Sequence, residues 1–225
     1  MNRDLLHTIL LAGLFLSLFG VAELMYHQFK VKVELTRKFV HVGTGLLTLL
    51  FPVLLGNHWL VLLLCTSFAL ILIASLKFNL LKSINAIERE SVGSLAYPVS
   101  VYACYLAFDY FGQQYIYFYL PVLILAICDP VAALTGKTWP VGKYKVGKEN
   151  KTLLGSSMFF LSALVLGFLL FRALNPQLAL AHILLSTVLV ALISSIAEAL
   201  SRKGYDNLTI PAAVLLTLIF TRQMF

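Results

Sequence analysis

The chain has 225 residues, of which 60% are apolar and 12% charged, with a mean hydropathy of +0.90. A soluble domain carries about twice that charged fraction, so this composition cannot clothe a globule in polar surface and excludes a water-soluble enzyme or a secreted domain. The formal net charge of +7 would suggest nucleic acid as the partner of a soluble protein; in a membrane protein it orients loops instead, and no nucleic-acid partner is expected.

At about 20 residues per crossing, the apolar runs place spans at 5–25, 39–56, 58–76, 92–111, 115–134, 153–173, 178–200 and 208–222. The fold class predicted is all-α: a polytopic integral membrane bundle of about eight transmembrane helices, forming one catalytic domain over 1–225. The first run is longer than the apolar core of a signal peptide, and Glu23-Leu-Met-Tyr-His27 offers no small-residue cleavage site. Cys65, Cys104 and Cys128 sit in apolar runs without a CxxC spacing and read as packing residues.

The connections alternate in charge. Those near 56–58, 112–114 and 172–177 are short and nearly free of Lys and Arg. The others carry Lys30, Lys32, Arg37 and Lys38, then Lys77, Lys82 and Arg89, then Lys137, Lys143, Lys145, Lys148 and Lys151, and finally Arg202 and Lys203. Fourteen of the 17 basic residues therefore fall on one side, leaving Arg3, Arg172 and Arg222 on the other. The positive-inside rule makes the rich side cytoplasmic and puts both termini outside. Most carboxylates join that side, although they contribute little to topology. A membrane-surface layer rich in both signs fits a site for an anionic substrate and a divalent cation.

Asp129, in Leu125-Ala-Ile-Cys-Asp-Pro-Val-Ala-Ala-Leu134, is the sharpest candidate. A carboxylate inside a span is costly unless it faces a polar cavity or a partner, so function is its default reading; a buried ion pair with a loop lysine is the alternative. Pro130 disturbs the helix and frees backbone carbonyls beside it. A glycine- and lysine-rich loop over 135–152 follows, expected to be flexible and to cover a nucleotide. Its Gly142–Lys148 segment satisfies GxxxxGK, yet Glu149 stands where a P-loop needs Ser or Thr and no strand is expected before it, so a P-loop is rejected. Lys151-Thr152-Leu-Leu-Gly155-Ser156 then opens a helix whose free N–H groups suit phosphate, with an ordinary capped helix start as the alternative. Arg37 and His41 share a helical face and suit a phosphate or a hydroxyl. Glu198 and Asp206 add carboxylates for a metal ion or a proton.

In order along the chain, Arg37-Lys38-x-x-His41, Arg89-Glu90-x-x-Gly93 with Tyr97-Pro98, Asp129-x-x-Ala132-Ala133-x-x-Gly136-Lys137, Lys151-Thr152-x-x-Gly155-Ser156, and Glu198 followed by Asp206-Asn207-Leu-Thr-Ile-Pro211 resemble the integral-membrane polyprenol kinase family. That family includes dolichol, phytol and farnesol kinases and the CTP-dependent diacylglycerol kinase. The phosphatidate cytidylyltransferases share a related pattern. The resemblance implies CTP as phosphoryl donor, Mg²⁺ or another divalent cation, and a membrane lipid alcohol as acceptor. Many members place glycine before the first acidic residue; Cys128 precedes Asp129 here.

Phosphoryl transfer needs charge neutralisation around the donor phosphates and in-line placement of a hydroxyl. Asp129 is accordingly expected to hold the metal with Glu198 or Asp206. Arg37, Lys38, Gly136, Lys137, Lys151, Thr152, Gly155, Ser156 and Asn207 are expected to bind nucleotide and phosphate. His41 and Asp206 are expected to complete the catalytic set on the cytoplasmic face. A homo-oligomer is compatible with this reading. A transporter is disfavoured, because the ionisable groups gather at one face and no inverted repeat is evident.

Overall fold

In the computed structural model, which describes residues 3–86, 92–147 and 149–224, the chain runs as α1 (Arg3–His27), α2 (Val33–Thr48), α3 (Phe51–Leu54), α4 (His58–Lys77), α5 (Lys82–Asn85), α6 (Gly93–Tyr110), α7 (Ile116–Leu123), α8 (Asp129–Thr138), α9 (Leu153–Leu174), α10 (Leu180–Leu200) and α11 (Asp206–Thr221). Among the described residues, six helical segments are long and apolar enough to cross a membrane: Arg3–His27, Val33–Leu54, His58–Lys77, Ile116–Thr138, Leu153–Leu174 and Leu180–Leu200. Helix α6 and the shorter α11 fall outside that group and pack between its members.

Ile116–Thr138 is the axis of the bundle. Its apolar window is 78% buried, against 22–39% for the other five, because α2, α6, α9 and α11 surround it. The outer helices turn leucine and valine outward, such as Leu63, Leu70, Val165 and Leu169, where hydrocarbon replaces water as solvent. Local chemistry sets the ends. Asn57 caps α4 by accepting the Trp59 N–H at 2.8 Å, and Thr152 caps α9 by accepting that of Gly155 at 3.1 Å. Pro52 starts α3 after α2 ends at Thr48, so the span expected over 39–56 is two helices, and it begins at Val33, earlier than its charged residues suggested.

The expectation for 135–152 needs correction. Helix α8 runs on to Thr138, and the remainder is not a loose loop but an antiparallel hairpin of β1 (Lys143–Val146) and β2 (Glu149–Thr152), with Lys143 opposite Thr152 and Val146 opposite Glu149. Lys-Tyr-Lys-Val alternates and its outer residues are solvated, while Gly147 (φ 62°) supplies a backbone that other residues rarely adopt. Among the described residues this ribbon is the one departure from helix as regular structure, and β1 lies within the GxxxxGK segment rather than before it.

Candidate active site

Every basic-side connection meets its neighbours at one end of the bundle. Lys137 Nζ lies 2.7 Å from Glu34 Oε1, joining the end of α8 to the start of α2. The Lys203 N–H donates to Glu149 Oε1 at 2.8 Å, and the Val92 N–H to the Lys203 carbonyl at 2.9 Å. Asn207 Nδ2 donates to the Gly93 carbonyl at 2.7 Å, bracing α11 against α6. At the opposite end His7 Nδ1 meets the Leu54 carbonyl, the Tyr105 hydroxyl donates to that of Leu55, and the Arg222 guanidinium lies over the Phe111 ring.

Asp129 sits where the central helix changes winding. Residues Ile124–Cys128 form a π-helical turn, in which each carbonyl expects an N–H five residues on. Residue 130 is proline and has none, so the Leu125 carbonyl is released. His41 Nε2 donates to it at 3.0 Å and stands 3.9 Å from Asp129 Oδ2. Lys38 Nζ donates to the same carboxylate oxygen at 2.7 Å. Asp129 is 7% exposed; it is ion-paired with a lysine of helix α2, not with a loop lysine, and it also lines a cavity. The Tyr97 ring lies edge-on to His41, centroids 5.1 Å apart, and fixes the imidazole from the side of α6.

A second charged cluster lies beside the first. Lys151 Nζ donates to Glu198 Oε1 at 2.7 Å and also bonds the Glu198 carbonyl. Ser156 Oγ donates to Glu198 Oε2 at 3.2 Å and meets the Tyr144 hydroxyl at 2.8 Å, which docks the hairpin onto α9 and α10. Lys151 also lies within electrostatic reach of Asp129 and Asp206, so the clusters form one field.

Glycine brings the helices together. A Cβ on Gly136 would stand 2.6 Å from Thr152 Oγ1, and one on Gly155 would stand 2.9 Å from the Ala132 carbonyl oxygen, so α8 and α9 touch along bare backbone. Gly45 does the same for α2: its Cβ would fall 2.3 Å from that of Ala126 in the π-helical turn. The positions expected at phosphate thus also set helix spacing.

Arg37, Lys38, His41, Asp129, Asp206 and Asn207 line the mouth of one cavity of about 150 Å³. Its inner part is lined by apolar side chains of α1, α2, α4 and α6. Glu198 is not among its lining residues, and Lys137 faces outward against Glu34. Among the described residues, no three His, Cys, Asp or Glu side chains form a ready metal cage; Asp129 and Asp206 are the carboxylates that share this cavity with Glu34.

Over 190 residues the chain is 28% identical to a phytol kinase from Synechocystis sp., covering 84% of this chain and 80% of that protein. This match supports the polyprenol kinase family. No family model and no solved structure matches the chain.

Of the segments that carry the resemblance, Arg37-Lys38-x-x-His41, Tyr97, Asp129 and Asp206-Asn207 meet at the cavity, while Lys151, Ser156 and Glu198 meet beside it. Glu88, Arg89, Glu90 and Lys148 lie outside the described residues. One participant escaped the sequence reading: Tyr144 anchors the hairpin, and nothing in its tetrapeptide signals that. Glu34, counted from the sequence among the carboxylates of the basic side but given no role, pairs with Lys137 and lies 3.8 Å from Arg37.

Proposed function

We propose that this protein is a membrane lipid-alcohol kinase that transfers a phosphoryl group from a nucleoside triphosphate, CTP, to the hydroxyl of an isoprenoid alcohol. One observation carries the reading: a single cavity joins a charged mouth containing Asp129, Asp206 and Lys38 to an apolar interior, the form required of a site where a water-soluble nucleotide meets a greasy alcohol. The similarity to a phytol kinase supports the acceptor class, and the motif resemblance supports CTP.

In this reading the mouth faces the cytoplasm, since the basic connections gather there. Lys38 and Arg37 neutralise the donor phosphates from α2, and Lys151 does so from the hairpin. The acceptor oxygen forms a bond to the γ-phosphorus as the bond to the β–γ bridging oxygen breaks and the nucleoside diphosphate leaves. The hydroxyl proton passes to Asp206, the cavity carboxylate without a lysine bonded to it. His41, anchored on the Leu125 carbonyl, positions the hydroxyl. A magnesium ion fits here, because it takes one or two carboxylates together with substrate phosphates; Asp129 would hold it with the donor phosphates, and bound there it would neutralise charge developing on the phosphate oxygens. Glu198, expected as a ligand, is instead engaged by Lys151 and Ser156 and serves to hold that lysine.

The test is a transfer assay on purified protein in detergent, with labelled CTP or ATP against farnesol, phytol, a long polyprenol and diacylglycerol. Label is expected on an isoprenoid alcohol with release of the nucleoside diphosphate. Pyrophosphate release with a cytidylated lipid, or no transfer to any alcohol, overturns the reading.

A further inference from the structure

The inner cavity is built as regularly as its mouth. Each of four helices turns one face toward it: Phe15 and Phe19 on α1, Thr44 and Thr48 on α2, Cys65, Phe68 and Leu72 on α4, Tyr97 and Val101 on α6. The spacings are three, four or seven residues, which is one helical face in every case. Along α2 the ionisable side chains end at His41. Below it Thr48 Oγ1 donates within its own helix to the Gly45 carbonyl at 2.7 Å, and the Tyr97 hydroxyl donates across to the His41 carbonyl at 3.4 Å.

The bore also has a floor. Phe51, where α3 begins, lies with its ring centroid 5.9 Å from that of Phe15, which in turn stands 4.7 Å from Phe68. These rings are interior: Phe51 is 1% and Phe15 2% exposed. From Lys38 to Thr48 the helix rises about 15 Å at 1.5 Å per residue. A cavity of about 150 Å³ drawn out over that depth averages about 10 Å² in cross-section, too narrow for two hydrocarbon chains side by side, and a single chain fills it only as the lining side chains give way.

We propose that this bore gauges the acceptor's tail: it admits one short isoprenoid chain, Phe15, Phe51 and Phe68 set the greatest length, and diacylglycerol and long polyprenols are refused. The proposal rests on the lipid-alcohol kinase reading and adds where the tail lies and what measures it. A tail held among protein side chains is selected by the space it fills, whereas a tail left in lipid would meet no limit at all. Every extra isoprene unit would have to displace a buried ring or leave through a helix wall.

The full-length protein in detergent gives two independent readouts. The first compares turnover of farnesol, phytol and a long polyprenol by the wild type, Thr48→Phe and Phe51→Ala. Long polyprenol is expected to be at least about tenfold slower than phytol, the scale on which apolar pockets discriminate by one or two methylenes. Thr48→Phe should lower phytol turnover relative to farnesol, and Phe51→Ala should raise that of longer chains. The second uses Cys65, the cysteine that lines the bore: phytol should slow its alkylation by N-ethylmaleimide, read by mass spectrometry of the wild type, and leave Cys104 and Cys128 unchanged. Equal turnover of all chain lengths, or alkylation of Cys65 unaffected by phytol, overturns the proposal. Absence of transfer to any alcohol while phytol still protects Cys65 removes the kinase reading and leaves the tail site standing.

Discussion

Asp129 and Lys38 show why a buried ion pair is at once a structural and a chemical object. Their 2.7 Å contact keeps both charges inside, and breaking such a pair from one side strands the other. In the proposed reaction the carboxylate is also the mouth's main negative charge. Asp129→Asn is therefore expected to lower transfer by about 10²–10³-fold, the scale of losing one electrostatic stabiliser, while membrane insertion is retained. A folded, inserted variant turning over near the wild-type rate would remove Asp129 from the reaction. Lys38→Met added to Asp129→Asn should restore thermal stability and leave activity lost, which a double-mutant cycle reads directly. Lys151→Met makes the companion case. Glu198 is 8% exposed and would lose its lysine partner, leaving Ser156 as its remaining side-chain partner among the described residues, at a cost of about 3–5 kcal/mol. Unfolding in detergent measures this, and Glu198→Gln in the same chain should recover most of it. If Lys151→Met alone leaves stability unchanged, the pair is solvated and the tight cluster is wrong.

Among the elements, α8 and α9 are held together by what is missing from Gly136 and Gly155. Gly155→Ala would push a methyl against the Ala132 carbonyl oxygen, where backbone must give way, and overpacking of this kind costs about 1–3 kcal/mol. The melting temperature in detergent should fall accordingly; no change would mean that the helices have room to part. The hairpin is held more lightly. Tyr144→Phe removes its bond to Ser156, and if the ribbon flanks the nucleotide, KM for CTP should rise with kcat little altered. Helix positions were legible in the chain because an apolar run of bilayer length leaves little choice of structure. The β-hairpin was not: Lys143-Tyr144-Lys145-Val146 is short, and its lysines conceal the alternation. Nor did hydropathy separate Phe15, Cys65 and Phe68, which face the bore, from Leu63 and Leu70, which face outward. A residue turned toward an apolar tail and one turned toward lipid obey the same chemistry.

For the whole molecule, the alternation of basic and neutral connections already implied that the charged groups share an end, and their hydrogen bonds meet there. Which charge pairs with which was illegible, since helix adjacency decides it: Glu34 reaches Lys137 only because α2 begins where α8 ends. The orientation across the bilayer is an expectation with a direct check. Lys145→Cys should react with a membrane-impermeant thiol reagent from the cytoplasmic side only, and Gln113→Cys from the other side only; the reverse pattern would invert the topology and move the proposed site to the wrong compartment.

The wide turn at Ile124–Cys128 has a consequence for how this helix tolerates change. A turn that closes five residues back stores one residue more than an ordinary one, so deleting a single residue there would let the rod zip straight while both flanks kept their azimuth. Insertion and melting should then be nearly normal. What disappears is the idle oxygen at Leu125, the peg from which the imidazole of His41 hangs, leaving the ring free to swivel away from the carboxylate beside it.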